Sequence, residues 1–392
     1  MTSSDETRGR SGRRFTYHPF EVALCGYSGA GKTTLACRLL ARWAGRYRVG
    51  FVKHDAHRFE MDKPGKDTHR AAEAGAAGVM INDPRHFARI SALPYSAFER
   101  AYAFPDADFV LAEGFKRSDL PKLLLLDVED PARGADGRAW REYREWREYR
   151  EGGFTNVLAV VGPGEPPEGL DLPYFHRDDV DGIAALIEAF VHRRAEAPLY
   201  GLVLAGGESR RMGRPKWALD YRGEPQAQRT ARLLGAVCAR VFLSVRPGQA
   251  VEGLPEVERI EDRFPAWGPV AGILSAMEAH PEAAWLVAAC DLPFLDAPTL
   301  EALVAGRDPL KIATAYRSAH GGLPEPLCAV WEPRARQRLL QAAGIGMTCP
   351  RKVLIESAPR LLDLANPSAL DNANTPAEYE SARAALRPAA QP

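Results

Sequence analysis

The chain twice shows a strand-turn-helix opening, a short apolar strand breaking into glycines, once near residue 20 and again near residue 200. No other feature constrains the fold as strongly, because a strand that feeds a helix in this way belongs to a βαβ unit with a parallel sheet. The first junction reads Glu21-Val-Ala-Leu-Cys-Gly-Tyr-Ser-Gly-Ala-Gly-Lys-Thr-Thr34, after which Leu35, Ala36, Leu39, Leu40 and Trp43 recur at helical spacing. The second reads Tyr200-Gly-Leu-Val-Leu-Ala-Gly-Gly-Glu-Ser-Arg-Arg-Met-Gly213. Strands are expected near Gly50–Lys53, Phe109–Glu113, Leu123–Val128 and Val157–Val161 in the first half. In the second they are expected near Val241–Val245, Trp285–Ala289 and Pro326–Trp331. Their alternation with helical patterns predicts an α/β protein of two three-layer α/β/α domains.

A length of 392 residues agrees, since one core holds roughly 150 residues. The expected division is a disordered basic tail at 1–16, a domain at 17–194, a linker at 195–199, a second domain at 200–386 and a tail at 387–392. A helix over Gly182–His192 precedes the linker, which is too short to let two domains tumble independently over large distances. The tail carries Arg8, Arg10, Arg13 and Arg14 without an apolar segment, so it does not read as a secretion signal.

Lys plus Arg number 51 and Asp plus Glu number 51. That balance excludes a protein holding nucleic acid by bulk charge and argues against a polybasic membrane anchor. No run approaches the roughly 20 apolar residues of a membrane span. Six cysteines without a C-x-x-C pair fit buried thiols in a reducing, cytoplasmic compartment better than disulfides or zinc. Residues 140–151, Trp-Arg-Glu-Tyr-Arg-Glu-Trp-Arg-Glu-Tyr-Arg-Glu, form a charge-balanced repeat inside an insertion at about 132–152. The pattern reads as a solvated, salt-bridged helix, with docking of its aromatic stripe on the partner domain or a second subunit as the alternative.

Gly26-x-x-x-x-Gly31-Lys32-Thr33 has the spacing of a Walker phosphate loop. Gly26, Gly29 and Gly31 let backbone N–H groups wrap phosphates. Lys32 reaches the outer phosphate oxygens, and Thr33, followed by Thr34 at the helix start, holds Mg²⁺. The acid that completes the metal shell is Glu113, ending Phe-Val-Leu-Ala-Glu, or Asp62 in Asp-Lys-Pro-Gly65. A guanine-reading N-K-x-D segment is absent. His54 and His57 are poorly spaced for one ion, so phosphate or partner contact fits them better than zinc.

In the second half Leu204, Ala205, Gly206 and Gly207 offer close backbone approach to a nucleotide. Arg210, Arg211 and Lys216 supply charge for departing pyrophosphate. Asp291 ends the apolar run Ala288-Ala-Cys-Asp, the place of a Mg²⁺ ligand at the carboxyl edge of an open sheet.

Residues 20–192 resemble the molybdopterin-guanine dinucleotide biosynthesis adaptor family, the MobB type. The resemblance rests on Gly26–Thr34, Val52-Lys-His-Asp-Ala-His57, Asp62-Lys-Pro-Gly-Lys-Asp-Thr68, Ala74-Gly-Ala76, Ala112-Glu-Gly-Phe-Lys116 and His176-Arg-Asp-Asp179. It implies a P-loop NTPase-like domain that binds GTP, turns it over feebly and assists a partner transferase. The repeat at 140–151 is no part of that pattern. Residues 199–385 resemble the molybdenum cofactor guanylyltransferases, the MobA type, a Rossmann-like nucleotidyltransferase fold. Here the matching pieces are Leu204–Lys216, Asp262 ahead of Gly268-Pro-Val-Ala-Gly272, Cys290-Asp-Leu-Pro293, Glu325-Pro-Leu327, Arg351-Lys352 and Asn372-Ala-Asn-Thr-Pro376.

By that resemblance Leu204–Gly207 and Lys216 hold the nucleotide, Asp262 reads its guanine or ribose side, and Asp291 binds Mg²⁺. Arg351, Asn372 and Asn374 lie on the pterin side. The implied reaction is attack by the terminal phosphate of Mo-molybdopterin on the α-phosphorus of GTP, releasing pyrophosphate. The pattern departs at Arg214-Pro215, where the family carries Asp before the lysine. It departs again at Leu243-Ser-Val-Arg246, where a base-contacting Asn is missing. The competing readings are a GTP-dependent scaffold without chemistry and a transferase using CTP or another phosphorylated acceptor. Molybdoenzyme acceptors or their chaperones and a second copy of the chain are the implied protein partners. Joining the halves would raise their effective concentration to about the millimolar range.

Overall fold

The computed structural model describes residues 16–54, 62–126, 144–167, 169–207, 211–251, 253–254, 256–264 and 266–387. The chain divides into two compact units that meet between Arg194 and Ala195.

In chain order the first unit contains β1 (Glu21–Cys25), α1 (Lys32–Trp43), β2 (Val49–Lys53), α2 (Asp67–Glu73), β3 (Gly78–Asn82), β4 (Phe87–Ser91) and α3 (Ala97–Ala101). It continues with β5 (Phe109–Glu113), β6 (Lys122–Leu125), α4 (Arg144–Arg150), β7 (Val157–Gly162), β8 (Tyr174–His176) and α5 (Val180–Ala195). Six strands form a parallel sheet in the order β2-β5-β1-β6-β7-β8. Strand β1 is buried throughout, as its apolar run requires. Helix α1 buries Leu35, Ala36, Leu39 and Trp43, and the Trp43 ring stands edge-on to Phe109 at 5.0 Å. Residues of opposite parity, Ala23, Cys25, Ala112, Leu124 and Val160, face the other way onto Leu120, Phe154 and Trp146.

That last residue corrects the solvated-helix reading of the repeat. Residues 140–143 lie outside the described residues. In α4, however, Trp146 is 2% exposed and Glu145 1% exposed, with Tyr149 stacked on Trp146 at 5.6 Å. A charge-balanced pattern says nothing about which aromatic ring a bare sheet face will take up. The hairpin β3–β4, a separate antiparallel pair, was not anticipated either. Together with α3 it exposes Met80, Ile81, Phe87 and Phe98, the two phenylalanines at 77% each.

The second unit contains β9 (Leu199–Leu204), a 3₁₀ turn (Lys216–Ala218), α6 (Gln226–Gly235), β10 (Arg240–Val245), β11 (Glu258–Glu261), α7 (Pro269–Ala279), β12 (Ala284–Ala289) and α8 (Ala297–Ala305). It ends with β13 (Ala313–Arg317), β14 (Pro324–Trp331), α9 (Ala335–Gly344), α10 (Pro350–Ile355), β15 (Arg360–Leu362) and α11 (Pro376–Leu386). Its seven-stranded sheet runs β11-β10-β9-β12-β14-β13-β15, with β14 antiparallel to both neighbours. Leu202, Phe242, Trp285 and Val287 pack with Ile273, Leu339 and Val353 from α7, α9 and α10. Their sequence neighbours Val203, Leu243, Leu286 and Ala288 pack with Ala231, Leu234 and Leu300 from α6 and α8. The period-two alternation therefore feeds two cores, which makes this unit three layers deep.

In each sheet the glycine turn follows a central strand whose later neighbours lie on opposite sides, β5 and β6 around β1 and β10 and β12 around β9. Such a switch point opens a crevice at the carboxyl ends of the strands. Because Trp146 closes a sheet face, Trp146→Ala is expected to destabilise the first unit by about 3–5 kcal/mol. Urea unfolding followed by far-ultraviolet circular dichroism checks this, and an unchanged midpoint would return the repeat to the solvent.

Two candidate nucleotide sites

The phosphate loop leaves β1 at Gly26, where a β-carbon would lie 2.6 Å from the Leu125 carbonyl oxygen, so only glycine fits. Gly31, in a left-handed conformation with φ of 80°, caps α1 and allows the turn to enter the helix directly. Gly29 is also left-handed, with φ of 90°. The Lys32 ammonium donates to Tyr27 O at 2.6 Å across the loop. Thr33 Oγ1 lies 2.9 Å from both Glu113 oxygens, and Lys53 Nζ approaches the same carboxylate at 3.4 Å. Asp62 instead accepts from its own Lys63 amide at 2.9 Å and from Thr68 Oγ1 at 3.1 Å. Sheet pairing, which carries β5 beside β1, brings Glu113 to Thr33, while Asp62 is turned to Lys63 and Thr68. The His54 ring lies against Phe115 with centroids 5.1 Å apart, while His57 is outside the described residues. Thr34 borders a small cavity beside the loop.

Sequence reasoning missed the brace on this loop. Glu145 Oε1 accepts the Tyr27 amide at 3.1 Å, and the Tyr27 hydroxyl donates to Glu148 Oε2 at 2.6 Å. Lys116, in the Ala112–Lys116 stretch, also reaches Glu148 at 2.6 Å and lies 3.9 Å from the Tyr27 ring centroid. Only the folded insertion shows which of its glutamates face inward. Gly26→Ala is expected to cost about 1–3 kcal/mol through the forced clash with Leu125. Thermal melting of the variant measures it, and a melting temperature equal to that of the parent would contradict the close approach.

The second site is a cavity of about 1310 Å³ at the carboxyl ends of β9, β10, β11 and β12. Leu204, Ala205, Gly206, Gly207, Arg211, Lys216, Asp262, Asp291 and Asn374 all line it. Arg210 lies outside the described residues. Lys216 starts the 3₁₀ turn after Pro215, and its Nζ donates to Asp291 Oδ2 at 3.0 Å and to Asn374 Oδ1. The Ala373 amide donates to Asp291 O at 3.0 Å, so the Asn372–Pro376 turn is tied to the same strand end. Asn372 itself is exposed and outside the lining. Arg351 is likewise outside it, where it donates to Glu325 Oε2 at 2.9 Å and to Pro324 O at 3.1 Å. The two departures from the family pattern acquire physical readings. The Arg214 guanidinium lies 4.7 Å from the Tyr379 ring centroid, a packing role, and Pro215 enters the turn that aims Lys216.

Where an asparagine was missing, Ser244 Oγ donates to Asp262 Oδ1 at 2.8 Å. A β-carbon at Gly272 would stand 2.3 Å from that Ser244 oxygen, and one at Gly206 would stand 3.0 Å from Asp262 Oδ2. These glycines clear the floor of the site. Burial raises the Asp262 carboxyl above its usual range, against the opposing pull of the Ser244 hydrogen bond and Arg246. Burial likewise pushes the Cys290 thiol up to about 12, which removes it as a nucleophile at neutral pH. Gln249 bridges the Arg246 amide, accepted at 3.1 Å, and Ala205 O, at 3.0 Å from its Nε2. The Arg246-Pro-Gly-Gln249 turn was the available signal for that contact.

A phosphate loop with an acid at its threonine defines a nucleotide-binding P-loop unit. A glycine-rich strand end facing a lysine–aspartate pair across a large cavity defines a nucleotidyltransferase-type unit. Comparison with known proteins agrees with both. Residues 22–133 match the family described as molybdopterin guanine dinucleotide synthesis protein B, and residues 201–360 match the MobA-like NTP transferase domain. A molybdenum cofactor guanylyltransferase of Pseudomonas putida is 31% identical over 192 residues, covering 46% of this chain and 96% of the relative. The chain belongs to the molybdenum cofactor guanylyltransferase family, with a protein-B-type half in the same polypeptide.

A molybdenum cofactor biosynthesis bifunctional protein of Synechocystis sp. is 40% identical over 189 residues, 47% of this chain and 54% of the relative. A molybdopterin-guanine dinucleotide biosynthesis adapter protein of Haemophilus influenzae is 38% identical over 113 residues, 26% of this chain and 61% of the relative. The matched stretch thus spans somewhat more than half the length of each of these two relatives.

Proposed function

We propose that the second unit transfers GMP from GTP to the terminal phosphate of Mo-molybdopterin, and that the first unit binds GTP and assists. The observation that carries this reading is the convergence of Lys216, Asp291 and Asn374 at the open end of β9 and β12. Nucleophile and target are both anionic, so the site must supply positive charge where pyrophosphate departs. Lys216 and Arg211 do so, with Arg210 of the same Gly-rich stretch. An ionised phosphate needs no general base. Leu204–Gly207 bring backbone against the nucleotide, and the half-buried Asp262, held by Ser244, accepts from guanine N–H groups or the ribose. Arg351, Asn372 and Asn374 are assigned to the pterin side.

No three His, Cys, Asp or Glu side chains gather as a metal site among the described residues. A single carboxylate fits Mg²⁺ that arrives on nucleotide phosphates. Asp291 would hold it in the second unit and Thr33 with Glu113 in the first, where it would add positive charge to the triphosphate. Among the described residues no helix is long and apolar enough to cross a membrane.

The test incubates the chain with Mg²⁺, Mo-molybdopterin and GTP or CTP, following pyrophosphate and the dinucleotide. Product with GTP alone is expected, and Lys216→Ala should lower kcat by about two to three orders of magnitude. Asp291→Asn should be similarly impaired while the fold melts normally. Product with CTP would overturn the base assignment, and no product with either would leave a scaffold.

The chain is also proposed to self-associate through the exposed Phe87 of β4 and Phe98 of α3, because rings left 77% open are a ready contact for a second copy. Sedimentation should show a dimer that the double substitution Phe87→Asp, Phe98→Asp splits, and a monomeric parent would discard the idea. Molybdoenzymes or their chaperones would receive the product.

A further inference from the structure

The Walker pattern leaves residue 27 unspecified, yet three elements converge on it. The Tyr27 amide donates to Glu145 Oε1 at 3.1 Å. Its carbonyl accepts from Lys32 Nζ at 2.6 Å and, within the loop, from the Ala30 amide at 3.4 Å. Its hydroxyl donates to Glu148 Oε2 at 2.6 Å, and Lys116 Nζ lies 2.6 Å from both of those oxygens. The peptide groups on either side of Tyr27 are therefore held, one by α4 and the other by the lysine of the phosphate loop.

The turn that delivers Lys116 is itself unusual. Between Glu113 and Lys116 the chain passes through Gly114 and Phe115 with φ of 99° and 54°, and for phenylalanine that left-handed region is strained. Lys122 is fully buried, and its ammonium donates to Lys116 O at 3.2 Å and to Ser118 O at 2.5 Å. A buried ammonium and a strained residue in one turn distinguish this contact from a chance surface pair. Lys116 also offsets the charge of Glu148, so that α4 brings one paired carboxylate and one amide-bound carboxylate to the loop.

We propose that Glu145 and Glu148 are positioning residues for the P-loop site: by fixing Tyr27 they hold the loop ready for a nucleotide, so that nucleotide binding and the docking of α4 are coupled. A loop already held in place loses little freedom on binding, and affinity rises accordingly. Linkage makes the effect reciprocal, because whatever factor docked α4 adds to nucleotide affinity, bound nucleotide adds to the docking of α4. The proposal rests on the reading of the first unit as nucleotide-binding, and it gives the insertion a role in that unit's site.

The experiment titrates the full chain with a ribose-labelled fluorescent GDP in the presence of Mg²⁺. Only the component lost in Lys32→Ala is counted, which sets aside binding by the second unit. Glu148→Ala should weaken that component about tenfold. Glu148→Gln, whose amide oxygen still accepts from Tyr27, should stay within about threefold of the parent. A Glu148→Ala protein that melts earlier yet binds GDP as the parent does would leave the brace a purely structural role and overturn the proposal. The parent supplies an independent check: saturating GDP should slow hydrogen exchange at the amides of α4 about tenfold, and should not do so in Lys32→Ala. Unchanged exchange in α4 of the parent overturns the coupling, whether or not the substituted proteins fold. Absence of any Lys32-dependent binding refutes instead the underlying P-loop reading, and this inference with it.

Discussion

Each site is built where glycine lets the chain pass close to a neighbouring group, and both sites depend on that approach. In the first unit the contact is Gly26 against the Leu125 carbonyl. In the second it is Gly206 against Asp262, with Gly272 against Ser244 beneath it. A side chain at Gly26 would lift the turn off the sheet, and one at Gly206 or Gly272 would press on the Asp262 or Ser244 side chain. The amides these turns present would then no longer converge on an anion, and the acids carried by the adjacent strands would lose their position. Everything chemical in the molecule is hung on these few contacts.

The cations of the two sites share a second property. Each is held by acceptors that a phosphate could replace: Lys32 by the Tyr27 carbonyl, and Lys216 by Asp291 and Asn374. A lysine parked on a carbonyl or a carboxylate is kept in place, and moving to a phosphate oxygen exchanges one charge-assisted hydrogen bond for another. Preorganisation of this kind keeps the reorganisation cost of binding small.

The insertion ahead of β7 changes the picture of the first unit. Trp146 fills a sheet face while Glu145 and Glu148 on the same short helix fix Tyr27 within the phosphate loop. One element thus couples core packing to loop conformation.

Much of this was legible without coordinates. Strand–glycine–helix junctions, the alternation that feeds two cores and the Walker spacing are local patterns. They follow from helical and strand periodicity and from the conformations only glycine adopts. From them came the α/β layers, the two candidate sites, and Lys32, Thr33, Lys216 and Asp291 as candidate chemical groups, while Asp262 came from the family resemblance. What tertiary structure alone decided is every choice between residues distant in the chain. Examples are Glu113 over Asp62 beside Thr33, Asn374 at Lys216 across a separation of 158 residues, and Glu145 and Trp146 turned inward. The antiparallel β14 and the exposed β3–β4 hairpin belong to the same class. Periodicity fixes which face of an element is apolar, but it carries no information about which element that face will meet. That pairing is set by competition for burial across the whole chain.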